Sequence, residues 1–176
     1  SLIGSLALIG FPGFSGFFSK DALIEAIGHA DIIGSGFAYA SVLIGVFITA
    51  LYTFRLFFTV FHGALDEHHH DVKESPLSIT LPLVLLAIPS VLIAWPTVGP
   101  MVFGSYFTTA ISQPDAYQIF GYEFTSAYGF LIHAFSSPVI YIALFGVATA
   151  YILYIQKLSI LHDETYKSSF IYRLLD

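Results

Sequence analysis

Four apolar stretches, each about as long as a bilayer is thick, constrain this sequence more than any other feature. A hydrocarbon core of roughly 30 Å takes about 20 helical residues to cross. The stretches cover residues 2–27, 39–61, 77–95 and 138–155, and glycine and proline interrupt the first of them. Within lipid, a chain satisfies its backbone groups most simply as helices. The sequence therefore predicts an all-α membrane protein with about four transmembrane helices, of which the first is discontinuous.

The composition is typical of a chain that a lipid bilayer covers. Hydrophobic residues make up 56% of the 176 residues and charged residues only 10%, whereas about a quarter of the residues are charged in ordinary soluble domains. The formal net charge of −6 includes no basic stripe, which excludes nucleic acid as a partner. The lack of cysteine excludes disulfides and iron–sulfur ligation. No quinone, flavin or nucleotide motif is visible, so we expect no cofactor in this chain.

The distribution of lysine and arginine predicts the orientation. Outside the apolar stretches, basic residues occur only between the second and third stretch and after the fourth: Lys73, Lys157, Lys167 and Arg173. The connections 28–38 and 97–137 contain none. Because cytoplasmic segments carry the excess of lysine and arginine, we expect residues 156–176 on the cytoplasmic or matrix side and residues 28–38 on the outer side.

Two further expectations concern the organisation of the chain. Residues 1–176 are predicted to form a single transmembrane region, with a short interfacial helix over residues 101–111. The chain begins at Ser1, without a methionine or a charged segment ahead of the first apolar run. We therefore expect it to be part of a longer membrane protein rather than to start with a signal peptide.

The first apolar stretch contains a helix break, formed by Gly10, Pro12, Gly13 and Gly16. Proline removes a backbone donor, and glycine permits irregular backbone. The freed groups must be satisfied by protein or water, so such breaks occur inside bundles or beside wet cavities and commonly mark ion sites. We expect Ser15 or Ser19 to cap the second half-helix, with Asp21 in its first turn.

Lys20 and Asp21 follow the break directly, within the apolar stretch. A lysine at the centre of a bilayer costs roughly 2.5–3.5 kcal/mol on insertion scales, and such residues usually face a cavity or a partner. Asp21 and Glu25 are four residues apart and share a helix face, whereas Lys20 points about 100° away from Asp21. The alternative is that Lys20 reaches to the interface while its neighbours end the helix. The break just upstream favours a functional role.

These residues resemble a known family, the NuoL/ND5-type antiporter-like subunit of respiratory complex I. The resemblance is most specific over residues 10–21, GFPGFSGFFSKD, which match the broken twelfth transmembrane helix of that family. Four further segments support it: residues 48–55, 60–63, 132–138 and 170–176. Together the matches extend over essentially the whole chain, which the resemblance places in the C-terminal part of such a subunit.

The resemblance implies roles for two residues. In that family the lysine matching Lys20 ends the proton path of the subunit towards the outside, and the aspartate matching Asp21 pairs with it or tunes it. The sister NuoM-type subunits carry a glutamate instead of the lysine, so Lys20 followed by Asp21 indicates the NuoL type. The family's other essential glutamate and lysines, and its lateral helix, lie outside this chain. The resemblance thus implies that this chain does not pump protons alone.

The same resemblance implies partners and a location. The partners are the other membrane subunits of complex I, including an adjacent antiporter-like subunit, together with the lipid bilayer. The location is the bacterial inner membrane, in preference to the mitochondrial inner membrane, with residues 156–176 leading towards the lateral helix. Two alternatives stay open: the large subunit of a multi-subunit sodium/proton antiporter, and a structural membrane anchor in which Lys20 and Asp21 form a static ion pair.

The remaining polar residues carry weaker predictions. Arg55 is expected near the cytoplasmic interface, with an internal partner in the polar path as the alternative. His133 is expected to be an interfacial or hydrogen-bonded histidine, with an auxiliary role in proton transfer as the alternative. Three consecutive histidines, residues 68–70, cannot all face one ion on regular backbone, so no metal site is predicted. Trp95 suits the aromatic belt of a membrane interface.

Overall fold

The computed structural model describes residues 1–63, 75–104, 106–107 and 127–156, and every regular element in those ranges is helical. Seven α-helices occur there: α1 (Leu2–Ile9), α2 (Ser15–Gly28), α3 (Ser35–His62), α4 (Leu77–Leu92), α5 (Ala94–Val98), α6 (Ala127–Ser136) and α7 (Pro138–Tyr151). Two π-helical turns, Gly99–Phe103 and Ile152–Gln156, extend α5 and α7. The all-α class predicted from the sequence is confirmed.

Two segments are long and apolar enough to cross a membrane on their own, Ser35–His62 and Pro138–Ile155. A third is added if Leu77–Leu92 and Ala94–Met101, which are bent by 42° relative to each other, count as one. The first predicted span consists of two helices of 8 and 14 residues. The described residues thus contain two or three spans by this measure, and the number four stays a prediction.

A proline stands just after each interrupted helix, although α4 itself continues through Pro82 and Pro89. Pro96 has no N–H for the carbonyl of Leu92, four residues earlier, and α4 ends at that residue. Pro12 stands in the same relation to Leu8, next to the end of α1. By contrast, α7 starts at a proline that suits a first helical position, and the Ser137 hydroxyl accepts a hydrogen bond from the Val139 N–H at 3.3 Å.

Helix α2 lies between two apolar clusters, which together fix its position. One cluster joins α2 to α1, α3 and α7 and has as its buried members Ile9, Ile24, Val46, Ala50, Phe54, Ala143 and Ala150. The other joins α2 to α5 and α6 through Phe17, Phe18, Ala94, Val98 and Ala134. Helix α2 also keeps an exposed side, which carries Ser19 and Leu23.

Among the described helices, α3 and α7 pack against each other most extensively. A Cβ atom built at Gly146 would lie 2.8 Å from the Cβ of Ala50 and 2.8 Å from the Phe47 carbonyl oxygen. Small residues at such crossings let two membrane helices approach and gain van der Waals contact. The opposite surfaces stay apolar, and α4 buries none of its residues within the described structure. Lipid or further protein must cover a surface of this kind.

Several predictions fall wholly or partly outside the described residues and remain predictions. These are the interfacial helix over residues 101–111 beyond Phe107, the histidine run 68–70, and the segment after residue 156. The predicted cap of α2 is wrong: Phe14 is the N-cap and makes no side-chain cap bond. Asp21 also lies beyond the first turn of α2, which contains no acidic residue.

Candidate functional site

The break between α1 and α2 occurs where the sequence predicts it. Gly10 has a φ of 78° and Gly13 a φ of 91°, a left-handed backbone that favours glycine. The N–H of Gly10 bonds the Ala7 carbonyl at 3.2 Å, and the N–H of Phe11 bonds the Leu6 carbonyl at 2.9 Å. This pair of bonds is the Schellman arrangement, which ends a helix while satisfying two of its last carbonyls.

Lys20 satisfies a further carbonyl at the end of α1. Its Nζ donates a hydrogen bond to the Leu8 carbonyl oxygen at 2.6 Å. In a continuous helix this oxygen would accept from the N–H of residue 12, which is a proline. The negative end of a helix also favours a cation. The Lys20 ammonium therefore supplies the Leu8 carbonyl with the donor that Pro12 lacks.

Gly16 permits the two half-helices to approach closely. A Cβ built there would overlap the Ala7 carbonyl oxygen, so any side chain would push α1 away from α2. At Gly10 a Cβ would lie 3.2 Å from the Cδ of Lys20. The stem of Lys20 thus passes close to Gly10, at the start of the break loop.

Trp95 supplies a donor to the break loop from α5. Its Nε1 donates to the Gly13 carbonyl oxygen at 3.1 Å, across 82 residues of sequence. The ring packs edge-on against Phe18, with centroids 5.9 Å apart, and against Tyr128, with centroids 6.1 Å apart. The sequence contains no pattern that pairs Trp95 with Gly13, so this contact was not predicted.

Asp21 is buried on another side of α2. Its side chain is 2% exposed, and its Oδ2 atom has no hydrogen-bond partner within the described residues. Glu25 and His133 are the charged or titratable groups that act on it electrostatically. Lys20 and Asp21 thus interact with different groups, as expected from the predicted angle of about 100° between their side chains. In the ranges that the structure describes, no salt bridge joins the two residues, which speaks against a static pair.

Glu25 and His29 lie at the C-terminal end of α2. The Nδ1 of His29 is 3.0 Å from the Glu25 backbone oxygen and 3.5 Å from the Glu25 carboxylate. They line a cavity of about 320 Å³ at the junction of α2 and α3, together with Ser35, Gly36 and Tyr39. This junction belongs to the connection that the sequence predicts on the outer side.

A second cavity lies beside Lys20, between α2 and α3. Its volume is about 280 Å³, and its walls comprise Lys20, Leu23, Ile24, Val42, Gly45, Val46 and Thr49. The Thr49 hydroxyl donates to the Gly45 carbonyl at 2.7 Å and keeps its own acceptor capacity. Water enters a cavity only where polar groups can hold it. Lys20 and Thr49 are the lining residues with polar side chains.

The other predicted residues take separate places. Arg55 is exposed on α3, with its guanidinium carbon 5.5 Å from the centroid of the Tyr154 ring, a cation–π contact. His133 is half-buried on α6 and acts electrostatically on Asp21. No set of three or more histidine, aspartate or glutamate side chains in the described ranges suits a metal ion. The site thus centres on α2, with Arg55 apart from it.

A lysine at a helix break among apolar helices is an arrangement that recurs in polytopic membrane transport proteins. No protein-family model matches the chain. It is 45% identical to NADH-quinone oxidoreductase subunit L of Neisseria meningitidis serogroup A over 88% of its length. It is also 35% identical to NAD(P)H-quinone oxidoreductase chain 5 of a Picosynechococcus species over 89%, and 34% identical to NADH-ubiquinone oxidoreductase chain 5 of Phytophthora infestans over 92%.

The chain belongs to this subunit L and chain 5 family, and the resemblance drawn from the sequence is confirmed. It spans about a quarter of the length of these relatives, 26%, 25% and 24% in the three cases. Its apolar helices fit a membrane location.

Proposed function

We propose that this chain contributes the outer end of a proton path to a proton-translocating NADH–quinone oxidoreductase. Lys20 is the group that carries the proton, and Asp21 biases its charge state. The partners are the other membrane subunits of that complex, including a neighbouring antiporter-like subunit. The location is the bacterial inner membrane or, less favoured, the mitochondrial inner membrane.

One observation carries the proposal: the Lys20 ammonium is held by a carbonyl and by no carboxylate among the described residues. Its Nζ bonds the Leu8 oxygen at 2.6 Å, while the Asp21 carboxylate is buried on a different side of α2. A lysine that is locked into a salt bridge keeps its proton, whereas a desolvated lysine on a neutral acceptor can release it. This arrangement supports a titrating lysine over a structural one.

The route of the proton is supported by the cavities along α2 and α3. In the proposed step an N–H bond of the ammonium breaks, the electron pair stays on Nζ, and a water in the cavity beside Thr49 accepts the proton. Glu25 and His29 are the next titratable groups along α2, at the junction predicted to face outward. Redox chemistry elsewhere in the complex would shift the neighbouring charges and drive each release.

The alternatives have less support. The relatives named above are all quinone oxidoreductase subunits, and no named relative favours a sodium/proton antiporter. A static anchor would need an ion pair between Lys20 and Asp21, and their side chains take different partners.

The experiment that tests the proposal is Lys20→Met in the complete complex. Methionine keeps the length and apolar stem of lysine without its proton, so we expect assembly and NADH oxidation to persist while fewer protons move per NADH. The measurement is simultaneous NADH oxidation and proton uptake in inverted membrane vesicles. Lys73→Met, the same substitution in the polar connection 62–76, is the matched control. Full proton stoichiometry in Lys20→Met would refute the proposal.

A further inference from the structure

The two proline-interrupted helices of this chain meet at one hydrogen bond. Pro12 lies in the break between α1 and α2, and Pro96 accompanies the 42° bend between α4 and α5. Trp95 directly precedes Pro96, and its Nε1 donates to the Gly13 carbonyl at 3.1 Å. The bend of one helix pair is therefore tied to the break of the other.

The Gly13 carbonyl needs a donor from outside α2. Phe14 is the N-cap of α2, so its carbonyl is the first that the helix supplies with a donor. The N–H of Phe17 accordingly bonds the Phe14 carbonyl at 3.0 Å. Within a membrane no bulk water replaces a missing partner. The indole N–H of Trp95 fills this need.

The Trp95 ring is held in place independently of that hydrogen bond. It makes edge-on contacts with Phe18 of α2 and Tyr128 of α6. The indole is rigid and half-buried between three helices. Its N–H therefore points at Gly13 from a fixed position.

We propose that Trp95 is a positioning residue for the proton-carrying Lys20. The indole fixes the carbonyl of Gly13, and thereby the loop whose Gly10 lies beside the Lys20 stem. With the loop fixed, Nζ stays at the Leu8 carbonyl. A change in the bend between α4 and α5 moves Trp95, and this alters the position of the Lys20 ammonium at the Leu8 carbonyl. This inference rests on the proposed function of Lys20.

The test replaces the donor and keeps the ring. Trp95→Phe in the complete complex retains an aromatic contact with Phe18 and removes the N–H. Loss of one buried hydrogen bond shifts a local equilibrium by about two- to tenfold. We therefore expect a loss of protons moved per NADH that is no larger than the loss caused by Lys20→Met. NADH oxidation and the amount of assembled complex should be unchanged. Tyr128→Phe, which removes a polar group from the other ring in contact with Trp95, should leave the stoichiometry unchanged.

A second variant covers the case in which phenylalanine disturbs packing. Incorporation of 3-benzothienylalanine at position 95 substitutes sulfur for the indole N–H and preserves the ring shape. The same fall in stoichiometry is expected. If this variant assembles and pumps as the parent does, the inference is wrong.

A double substitution separates this inference from the proposed function. If Trp95 acts through Lys20, Trp95→Phe adds no further loss in the Lys20→Met background, because coupled residues are not additive. An additional loss would contradict the inference and indicate a separate structural role. If Lys20→Met pumps fully, the proposed function fails. If Lys20→Met loses pumping and Trp95→Phe does not, only the role of Trp95 fails.

Discussion

The α3–α7 pair and the α1–α2 break satisfy their backbone hydrogen-bonding groups in different ways. In α3 and α7 the backbone satisfies its own groups, and the two helices gain stability by close contact at Gly146. In the break the backbone leaves carbonyls over, and side chains from elsewhere satisfy them: Lys20 at Leu8 and Trp95 at Gly13. The stability of the α3–α7 pair therefore depends on the fit of its surfaces. The structure of the break depends on hydrogen-bond donors that can be gained or lost.

Gly16→Ala should have the largest effect, since the break tolerates no atom at this position. The new Cβ would meet the Ala7 carbonyl oxygen at 1.9 Å, and backbone cannot rotate out of the way. We expect a destabilisation at the upper end of overpacking effects, about 3 kcal/mol. The measurements are the amount of assembled complex on native gels and its midpoint of thermal denaturation.

Gly4→Ala is the control for that substitution. Nothing lies within 4 Å of a Cβ built at Gly4, which lies on α1, the half-helix that contains Ala7. Equal behaviour of the Gly16 and Gly4 variants would contradict the close approach of α1 and α2.

Gly146→Ala should have the next largest effect, of a different kind. The added methyl group separates α3 from α7 and costs about 1–3 kcal/mol, so the thermal midpoint should fall. Because this pair depends on shape alone, the complex that does assemble should move the parental number of protons per NADH. A lowered stoichiometry in stable, assembled complex would show that the two regions are not independent.

Pro12→Ala should change stability least. It tests most directly whether the break depends on which donor reaches the Leu8 carbonyl. Alanine restores an N–H that can bond the Leu8 carbonyl, in competition with Lys20. Exchanging one hydrogen bond for another should change stability by no more than about 1 kcal/mol. Protons moved per NADH should nevertheless fall, because Lys20 loses its acceptor. The paired measurements are the thermal midpoint and the proton stoichiometry in vesicles, and unchanged pumping would mean that the Leu8 contact is dispensable.

Regular regions were predictable from the sequence. The stretches 39–61, 77–95 and 138–155 correspond to α3, to α4 with the start of α5, and to α7 with its π-helical turn. Their apolar runs carry that information locally, and prolines mark ends of the stretches 77–95 and 138–155. The break was predictable for the same reason, since Gly10, Pro12 and Gly13 act on their own backbone.

The contacts across the break were not predictable to the same extent. The free Leu8 carbonyl follows from Pro12 by counting four residues back, but which side chain reaches it depends on how α2 folds against α1. The bond from Trp95 to Gly13 joins residues 82 positions apart and depends on the packing of α5. The cap of α2 was predicted wrongly because Ser15 begins the helix and Phe14 precedes it.

The hydrogen bond from Lys20 to the Leu8 carbonyl would couple proton transfer to the contact between α1 and α2. An ammonium at the negative end of a helix contributes charge as well as a donor, whereas the neutral amine contributes only the donor. Each departing proton would thus loosen the joint between α1 and α2, and each arriving proton would tighten it. The angle between α1 and α2 would therefore depend on whether Lys20 carries its proton.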